Sequence, residues 1–293
     1  MFIATLIAPG TLAGSDISAA SDALRDAGCA PGGNQWLDEG FAADILFDAE
    51  PELARETLEM ACPAIDIVVQ PLAGRAKALL IADMDSTMIT VECIDELADY
   101  AGIKPQIAEI TERAMRGELD FEAALDARVA LLKGLDEAVI EQCLAERVAI
   151  MPGAVPLIRT MRARGALTIL VSGGFTRFAQ PVAKIIGFDR AIANVLEVAD
   201  GMLTGTVTKP IVGSDTKLQT LLNASAEMGL KAEQTLAVGD GANDLAMIKR
   251  AGLGIAYRAK PIVAAAAAAR IGHNDLTALL YAQGIAKADW VSA

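Results

Sequence analysis

Short apolar runs divide the chain, and three of them end in a group of polar residues and glycines. These runs cover residues 78–82, 167–171 and 235–238. Runs of about four to eight apolar residues between turn formers indicate strands that are buried inside a parallel sheet. In open α/β sheets, ligands bind just outside the carboxyl ends of the strands. The polar groups behind the three runs are therefore candidates for one functional site.

Two carboxylates, Asp83 and Asp85, follow the first run in the sequence DMDST. A carboxylate can attack phosphorus and carry the phosphoryl group, which divides one difficult hydrolysis into two easier displacements. Asp83 is the candidate nucleophile, and Asp85 can protonate the leaving alkoxide and later deprotonate water. Two acids beside an anionic phosphate require a hard cation with oxygen ligands, and Mg2+ is the expected one. An ordinary polar turn remains the alternative for this motif taken alone.

The polar groups behind the other two runs suit the same chemistry. Ser172, Gly173 and Gly174 offer a hydroxyl and backbone amides to a phosphate oxygen. Lys217 precedes a helical pattern and supplies a compact positive charge. The loop GDGAND, residues 239–244, contains carboxylates and an amide, which are metal-ligand types. The order and spacing of these groups favour a phosphoryl-transfer site over a set of unrelated turns.

These motifs resemble those of the haloacid dehalogenase-like phosphohydrolases and, within that superfamily, the phosphoserine phosphatase family. The resemblance covers about residues 75–285 and includes VECIDE at 91–96, RVALLKG at 128–134, PGA at 152–154 and AYRAKP at 256–261. It implies an α/β fold with a Rossmann-like parallel sheet. It also implies a helical cap, inserted after the first catalytic strand at about residues 91–150.

The resemblance implies a role for each matching residue. Catalysis falls to Asp83 and Asp85, and Mg2+ is held by Asp83, the backbone carbonyl of Asp85, and Asp240. The substrate is bound by Glu92, Arg128, Ser172, Gly173, Lys217 and Asn243, with Asp244 in a supporting place. The implied reaction is the hydrolysis of O-phospho-L-serine to L-serine and phosphate through an aspartyl phosphate, the last step of serine biosynthesis.

The segment 91–150 repeats its apolar residues with a helical period. It is far longer than a βα connection of about 2 to 6 residues, which predicts a lid over the site. Phosphoserine carries an ammonium and a carboxylate, so a selective pocket needs an acid and a guanidinium, here Glu92 and Arg128. Without the resemblance both would be interpreted as solvated helix charges. Met115 and Phe121 either line the serine methylene or belong to the core.

The first 73 residues have a different organisation. Their pattern predicts the order βαββαβ, a ferredoxin-like α+β domain ahead of the phosphatase domain at 74–293, with a linker at 71–77. This order resembles the amino-acid-binding ACT-like domain that precedes some phosphoserine phosphatases. A module that only packs, or that forms a homodimer, is an equally open interpretation.

Composition narrows the class of protein further. The 293 residues carry a net charge of -13, which argues against a nucleic-acid partner. Four scattered cysteines without a CxxC pair fit reduced thiols in the cytoplasm. No signal sequence or membrane span is predicted, so we expect a cytoplasmic protein whose partner is a small molecule. The alanine-rich residues 261–270 predict a short helix.

Two alternatives to a phosphoserine phosphatase stay open on sequence. The first is an enzyme of the same superfamily that hydrolyses another small phosphomonoester, or transfers its phosphoryl group to an alcohol. The second is an amino-acid-sensing regulatory protein with a vestigial site. An intact set of Asp83, Asp85, Lys217 and Asp240 argues against the second, because buried acids around a cation are costly to retain without use.

Overall fold

Residues 2–71 form a four-stranded antiparallel sheet in the computed structural model, which describes residues 1–116 and 118–291 and not the side chain of Met115. The strand order is β2-β3-β1-β4, and two helices pack on one face. This ferredoxin-like arrangement confirms the predicted α+β pattern. The elements are β1 (Phe2–Ile7), α1 (Gly14–Asp26), β2 (Pro31–Asp38), β3 (Ala42–Phe47), α2 (Pro51–Ala61) and β4 (Asp66–Pro71).

A second sheet of six parallel strands carries the rest of the chain, and its order is β12-β11-β10-β5-β6-β7. The three apolar runs of the sequence are its strands β5, β6 and β10, so the predicted Rossmann-like sheet is confirmed. Its strands are β5 (Leu79–Ala82), β6 (Leu167–Phe175), β7 (Arg190–Asn194), β10 (Thr235–Gly239), β11 (Leu253–Tyr257) and β12 (Ala269–Ile271). A separate hairpin is formed by β8 (Leu196–Ala199) and β9 (Met202–Val207).

Among the described residues, five helices lie between β5 and β6, and the first four occupy the segment where the sequence predicts a helical cap. These four are α3 (Cys93–Tyr100), α4 (Lys104–Met115), α5 (Phe121–Ala130) and α6 (Ala138–Arg147). The start of α5 is fixed by Asp120, whose side chain accepts a hydrogen bond from the Ala123 N–H at 2.8 Å. The remaining helices are α7 (Ala154–Ala163), α8 (Thr176–Ile186), α9 (Ser214–Glu227), α10 (Leu245–Arg250), α11 (Pro261–Ala266) and α12 (Ala278–Ala282).

The alanine-rich segment departs from its prediction. Helix α11 ends at Ala266, and residues 269–271 form the edge strand β12 instead of continuing the helix. Ala269 pairs with Ile255 and Ile271 with Tyr257 in a parallel ladder with β11. Backbone pairing and burial therefore override the helix propensity of alanine at the end of this segment.

A buried interface joins the two sheets, and we call it the seam. Ile7 and Val68 of the first sheet belong to the same apolar core as helix α12. Arg75, in the predicted linker, is 9% exposed and donates to the two carboxylate oxygens of Asp44 at 2.7 and 2.6 Å and to Thr5 Oγ1 at 2.9 Å. The linker is thus a fixed part of the interface, because a buried charge must keep its partner. The domain division at residues 73 and 74 stays a prediction.

Strand β5 occupies the position in the second sheet where the strand order reverses. The strands that follow it along the chain, β6 and β7, lie on one side, and β10 to β12 lie on the other. The crevice at the carboxyl end of such a strand is where open α/β sheets bind ligands. No helix among the described residues is long and apolar enough to span a bilayer.

Candidate active site

Asp83 and Lys217 form a buried ion pair at the carboxyl end of β5. The Asp83 N–H donates to the Val238 carbonyl at 3.0 Å, which ties the start of the motif to strand β10. Lys217, in the first turn of α9, is fully buried, and its Nζ lies 2.5 Å from Asp83 Oδ1 and 2.6 Å from Asp244 Oδ1. Burial alone would lower the pKa of Lys217, but the carboxylates of Asp83 and Asp244 outweigh it and raise that pKa above its usual value. The ammonium group therefore stays charged beside the candidate nucleophile.

Asp244 is held in place by the glycines of the loop at residues 239–244. The Gly241 N–H donates to Asp244 Oδ2 at 3.0 Å, while Oδ1 accepts from Lys217. A Cβ atom at Gly239 would overlap the Asp244 carboxyl group, so only glycine fits there. The sequence assigned Asp244 a supporting place, and in the structure it is the second carboxylate partner of Lys217.

Three carboxylates form a group that can hold a metal ion. Ligand oxygens of Asp83, Asp240 and Asp244 lie within 4.8 Å of one another. Thr87 Oγ1 donates to Asp240 Oδ1 at 3.1 Å and so orients that acid. Burial, followed by the charges of Asp83 and Glu92, raises the pKa of Asp240 to about 6. A divalent cation bound among these carboxylates would relieve this repulsion.

Asp85 lies close to these carboxylates, and one of its own oxygens accepts no hydrogen bond from the described residues. Its Oδ1 is buried and has no hydrogen-bond partner among the described residues. A Cβ atom at Gly174 would lie 3.1 Å from Asp85 Oδ2, which brings Asp85 against the carboxyl-terminal end of β6. Burial, then the charges of Glu92 and Asp83, raises the pKa of Asp85 well above its usual range. A carboxyl group whose pKa is raised holds its proton more readily, which suits it to act as a general acid.

The irregular end of β6, residues 172–174, presents the predicted phosphate-binding groups. Ser172 is 1% exposed, and its Oγ accepts from the Gly174 N–H at 2.8 Å, which leaves the hydroxyl proton free to donate. Asn194, which the sequence reasoning missed, ties this end of β6 to the loop before α9. Its Nδ2 donates to the Gly173 carbonyl at 2.9 Å, and its Oδ1 accepts from the Val212 N–H at 2.7 Å.

The cap contacts this end of β6 through Phe121. A Cβ atom at Gly173 would lie 2.9 Å from Phe121 Cζ, and one at Gly213 would lie 3.2 Å from Phe121 Cδ1. The ring thus rests on the backbone at Gly173 and at Gly213, and glycine is needed there for close approach. The structure therefore brings Phe121 to the site. Met115 ends helix α4, and its side chain lies outside the described residues.

Glu92 and Arg128 are the two cap charges that the sequence singles out. Glu92 Oε1 accepts from Ser86 Oγ at 2.7 Å, and Ser86 takes a left-handed backbone conformation with φ 58°. The Glu92 side chain reaches solvent, yet crowding by protein atoms raises its pKa, and the charge of Asp83 adds to this. Arg128 is half-buried, donates from Nε to the Ala124 carbonyl at 3.2 Å and forms no ion pair within the described ranges. Its guanidinium is free to bind an anionic group.

Asn243 lies at the rim of the acid cluster. It is half-buried, and its Oδ1 approaches Gly241 closely enough that a Cβ atom there would lie 2.5 Å away. All the predicted site residues except the undescribed Met115 side chain therefore lie at the carboxyl end of the sheet or on the cap facing it. The roles assigned to them remain predictions.

The chain resembles characterised proteins along most of its length. Residues 80–249 match the haloacid dehalogenase-like hydrolase family. A phosphoserine phosphatase of Streptococcus thermophilus is 51% identical over 203 residues, which are 69% of this chain and 94% of that protein. A phosphoserine phosphatase of Streptomyces coelicolor is 45% identical over 242 residues, which are 82% of this chain but 59% of the relative's length.

A solved structure also matches both sheets. The unliganded structure of a probable phosphoserine phosphatase from Vibrio cholerae superposes with a TM-score of 0.78 at 33% identity. The match covers 98% of this chain and 88% of the other. The chain therefore belongs to the haloacid dehalogenase-like hydrolase family, together with these phosphoserine phosphatases.

Proposed function

We propose that this protein is a phosphoserine phosphatase, which hydrolyses O-phospho-L-serine to L-serine and phosphate. The observation that carries the proposal is that a cap acid, Glu92, and a cap guanidinium, Arg128, lie near the candidate phosphoryl-transfer centre. Arg128 has no ion-pair partner among the described residues, and the charges of Asp95, Glu92 and Asp85 act on it. An acid and a guanidinium match the ammonium and carboxylate of the seryl group.

The chemistry follows from the positions of Asp83 and Asp85. A carboxylate oxygen of Asp83 forms a bond to phosphorus while the bond between phosphorus and the seryl oxygen breaks. The proton on Asp85 passes to that seryl oxygen, so serine leaves neutral at its hydroxyl. Water then attacks phosphorus, Asp85 takes its proton, and Asp83 is released as a carboxylate. Ser172, the Gly173 backbone and Lys217 donate hydrogen bonds and charge to the phosphoryl oxygens.

Mg2+ is the cation that we propose for this site. The donor set is entirely oxygen, and hydrogen bonds from described residues reach only Oδ1 of Asp83 and of Asp240, which leaves each Oδ2 for a metal. Asp83, Asp240 and the backbone carbonyl of Asp85 would hold the ion, and Asp244 would fix Lys217 beside it. When bound, Mg2+ supplies positive charge to the phosphoryl oxygens.

Related proteins support the substrate. The Streptococcus thermophilus phosphatase, which this chain spans almost completely, carries the name phosphoserine phosphatase. A structure described as a substrate-bound phosphoserine phosphatase complex superposes on 70% of this chain with a TM-score of 0.65 and 40% identity. This chain matches only 59% of the length of the Streptomyces coelicolor relative, so its activity has to be tested directly.

A phosphate-release screen tests the proposal. The purified protein is incubated with phosphoserine, phosphothreonine, phosphotyrosine, glycerol phosphate and p-nitrophenyl phosphate, with and without Mg2+. We expect phosphoserine to give the highest kcat/KM by at least about tenfold, and activity to vanish with chelator. A flat profile across these esters would contradict the substrate assignment. Phosphorylated glycerol in a reaction that contains free glycerol would instead identify a phosphotransferase.

Three further predictions belong to this proposal. The reaction would be the last step of serine biosynthesis, and it would take place in the cytoplasm, where the free thiols of Cys29, Cys93 and Cys143 are stable. The first 73 residues would form an ACT-like domain that binds an amino acid or a second copy of the chain.

A further inference from the structure

Asp66 organises a turn of the phosphatase sheet from within the first sheet. It is the first residue of β4 and is 3% exposed. Its carboxylate accepts backbone N–H groups from Gly272 at 2.9 Å, from His273 at 3.2 Å and from Asn274 at 3.0 Å. The Asn274 side-chain amide donates to Asp66 at 2.8 Å and also to the Ile7 carbonyl at 2.9 Å. The shape of the turn after β12 therefore depends on the Asp66 carboxylate, which comes from the other sheet.

The residues that follow this turn press against Gly153. A Cβ atom at Gly153 would lie 2.6 Å from Thr277 N and 2.7 Å from both Leu276 N and Asp275 Oδ1. Gly153 has φ +81°, so a side chain there would be strained as well as crowded. The Leu276 N–H also donates to the Pro152 carbonyl at 3.2 Å. The backbone at 275–277 is thus fitted closely onto 152–153, and displacement of one moves the other.

Residues 149–151 are one of the two chain segments that connect the cap to the sheet. The Met151 N–H donates to the Met88 carbonyl at 2.9 Å, and the Thr90 N–H donates to the Ala149 carbonyl at 3.0 Å. Ile89 and Ile150 form the antiparallel bridge between them. We name residues 88–90 and 149–151 the cap stem. Met88 is bonded in turn to the catalytic motif, because its N–H donates to the Met84 carbonyl at 2.7 Å.

We propose that Asp66 is a positioning residue for the cap, acting through the turn at 272–277 and Gly153 on the cap stem. The first sheet would then have a role in catalysis without contacting the substrate. Removal of the carboxylate releases three backbone N–H groups, which then must find water or other acceptors. The turn loses its fixed shape, the contact at Gly153 loosens, and the two strands of the cap stem separate more often. The proposal concerns the geometry of the stem and holds whatever the substrate.

Hydrogen exchange of the full-length chain tests this directly. In Asp66→Ala we expect the amides of Thr90 and Met151 to exchange faster by about tenfold or more, while amides in β10 keep their original rates. Asp66→Asn keeps one acceptor oxygen and should give a smaller increase. Arg55→Ala is the matched control, because Arg55 also crosses the seam, donating to the Ala267 and Ala268 carbonyls at 3.1 Å, but does not reach the turn.

Three outcomes would overturn the proposal. Stem amides that exchange equally fast in Asp66→Ala and Arg55→Ala would mean that the seam acts only on general stability. Acceleration that stops at residues 272–274 would show that the coupling ends at the turn. If amides in the stem and in β10 of Asp66→Ala exchange faster by the same factor, the variant has lost only global stability. If Asp66→Ala does not fold, Asp66→Asn carries the same comparison, since it is close in shape.

Discussion

Lys217 Nζ lies between Asp83 Oδ1, at 2.5 Å, and Asp244 Oδ1, at 2.6 Å, in a region without solvent access to the lysine. The lysine thus connects the strand that precedes the candidate nucleophile with the loop at residues 239–244. A single ammonium cannot neutralise two carboxylates and a third, Asp240, within 4.8 Å. This excess negative charge supports the proposal that a divalent cation binds here.

Asp83→Asn should abolish turnover. The amide keeps the shape of the carboxylate but cannot form the acyl phosphate and is a poorer metal ligand, so we expect phosphate release to fall by at least about 1000-fold. The measurement is steady-state phosphate release, with circular dichroism to verify the fold. Asp215→Asn is the control, because Asp215 is exposed on the same helix as Lys217 and should leave the rate unchanged. Retention of near-original activity in Asp83→Asn would remove it as nucleophile.

The stability of the metal-free protein should fall as pH rises through about 6. The pKa of Asp240 is raised to about 6 in the folded state, above its usual 3.8, so the folded chain binds the proton more tightly than the unfolded chain. That contribution is fully present below pH 3.8 and is lost between there and about 6. Chemical denaturation at several pH values, with chelator present, measures it; the expected loss is at most about 3 kcal/mol.

Two comparisons test whether Asp240 causes this pH dependence of the free energy of unfolding. In Asp240→Asn the free energy of unfolding should change less between pH 4 and pH 7, since the titrating group is gone. Saturating Mg2+ should restore stability at the upper end of that range, because the ion binds the deprotonated acids. A metal-free protein that becomes steadily more stable from pH 4 to pH 7 would show that Asp240 is not the dominant titrating group.

Arg128→Ala should lower activity on phosphoserine much more than activity on a generic phosphate ester. Loss of a bidentate partner for the seryl carboxylate in a closed site costs about 2 to 4 kcal/mol, or about 30- to 1000-fold in kcat/KM for phosphoserine. Glu92→Gln should cost less if the amide still accepts from the substrate ammonium. p-Nitrophenyl phosphate has neither group, so its hydrolysis should change little in either variant.

The control for this comparison is Arg116→Ala, which removes an exposed cap arginine whose ion pairs, among the described residues, are with cap acids. It should leave both substrates unaffected. Equal losses on phosphoserine and p-nitrophenyl phosphate in Arg128→Ala would assign Arg128 to cap closure or folding. In that case the substrate assignment would lose its main support.

The position of candidate site residues at the strand ends could be predicted because each of these strands is a mostly apolar run that leads into its polar residues. Asp83 after β5 and Ser172 in β6 are examples in which local sequence determines both the strand and the side chain that it presents. Asn194 could not be found in this way. Its strand, β7, reads Arg-Ala-Ile-Ala-Asn, which lacks a clear apolar run, although the residue also stands at a carboxyl end.

Features that depend on residues far apart in the chain could not be predicted from the local sequence. The partnership of Lys217 with Asp244 joins residues 27 positions apart. Arg75 stands in a segment rich in turn formers, which predicts a linker, and only its pairing with Asp44 shows that it is buried. The short helix predicted in the alanine run is present at Pro261–Ala266, but its end could not be predicted, because sheet pairing at Ala269 competes with helix propensity and wins.

Asp44→Ala should destabilise the whole chain, because Arg75 then becomes an unpaired buried charge at the seam between the sheets. The two residues are 1% and 9% exposed and share two hydrogen bonds, at 2.7 and 2.6 Å. Removal of one partner of such a pair costs about 3 to 5 kcal/mol in the free energy of unfolding. Denaturant titration measures this cost.

The control is Asp48→Ala, since Asp48 is exposed and lies 3.8 Å from the amino terminus in a loose ion pair. Its loss should change the free energy of unfolding by less than about 0.5 kcal/mol. Asp44→Ala combined with Arg75→Met should recover part of the loss, because the double variant leaves no unpaired charge in the seam. If Asp44→Ala proves as mild as Asp48→Ala, then the seam opens readily enough for water to solvate Arg75, and the two sheets would behave as the separable domains that the linker-like sequence predicts.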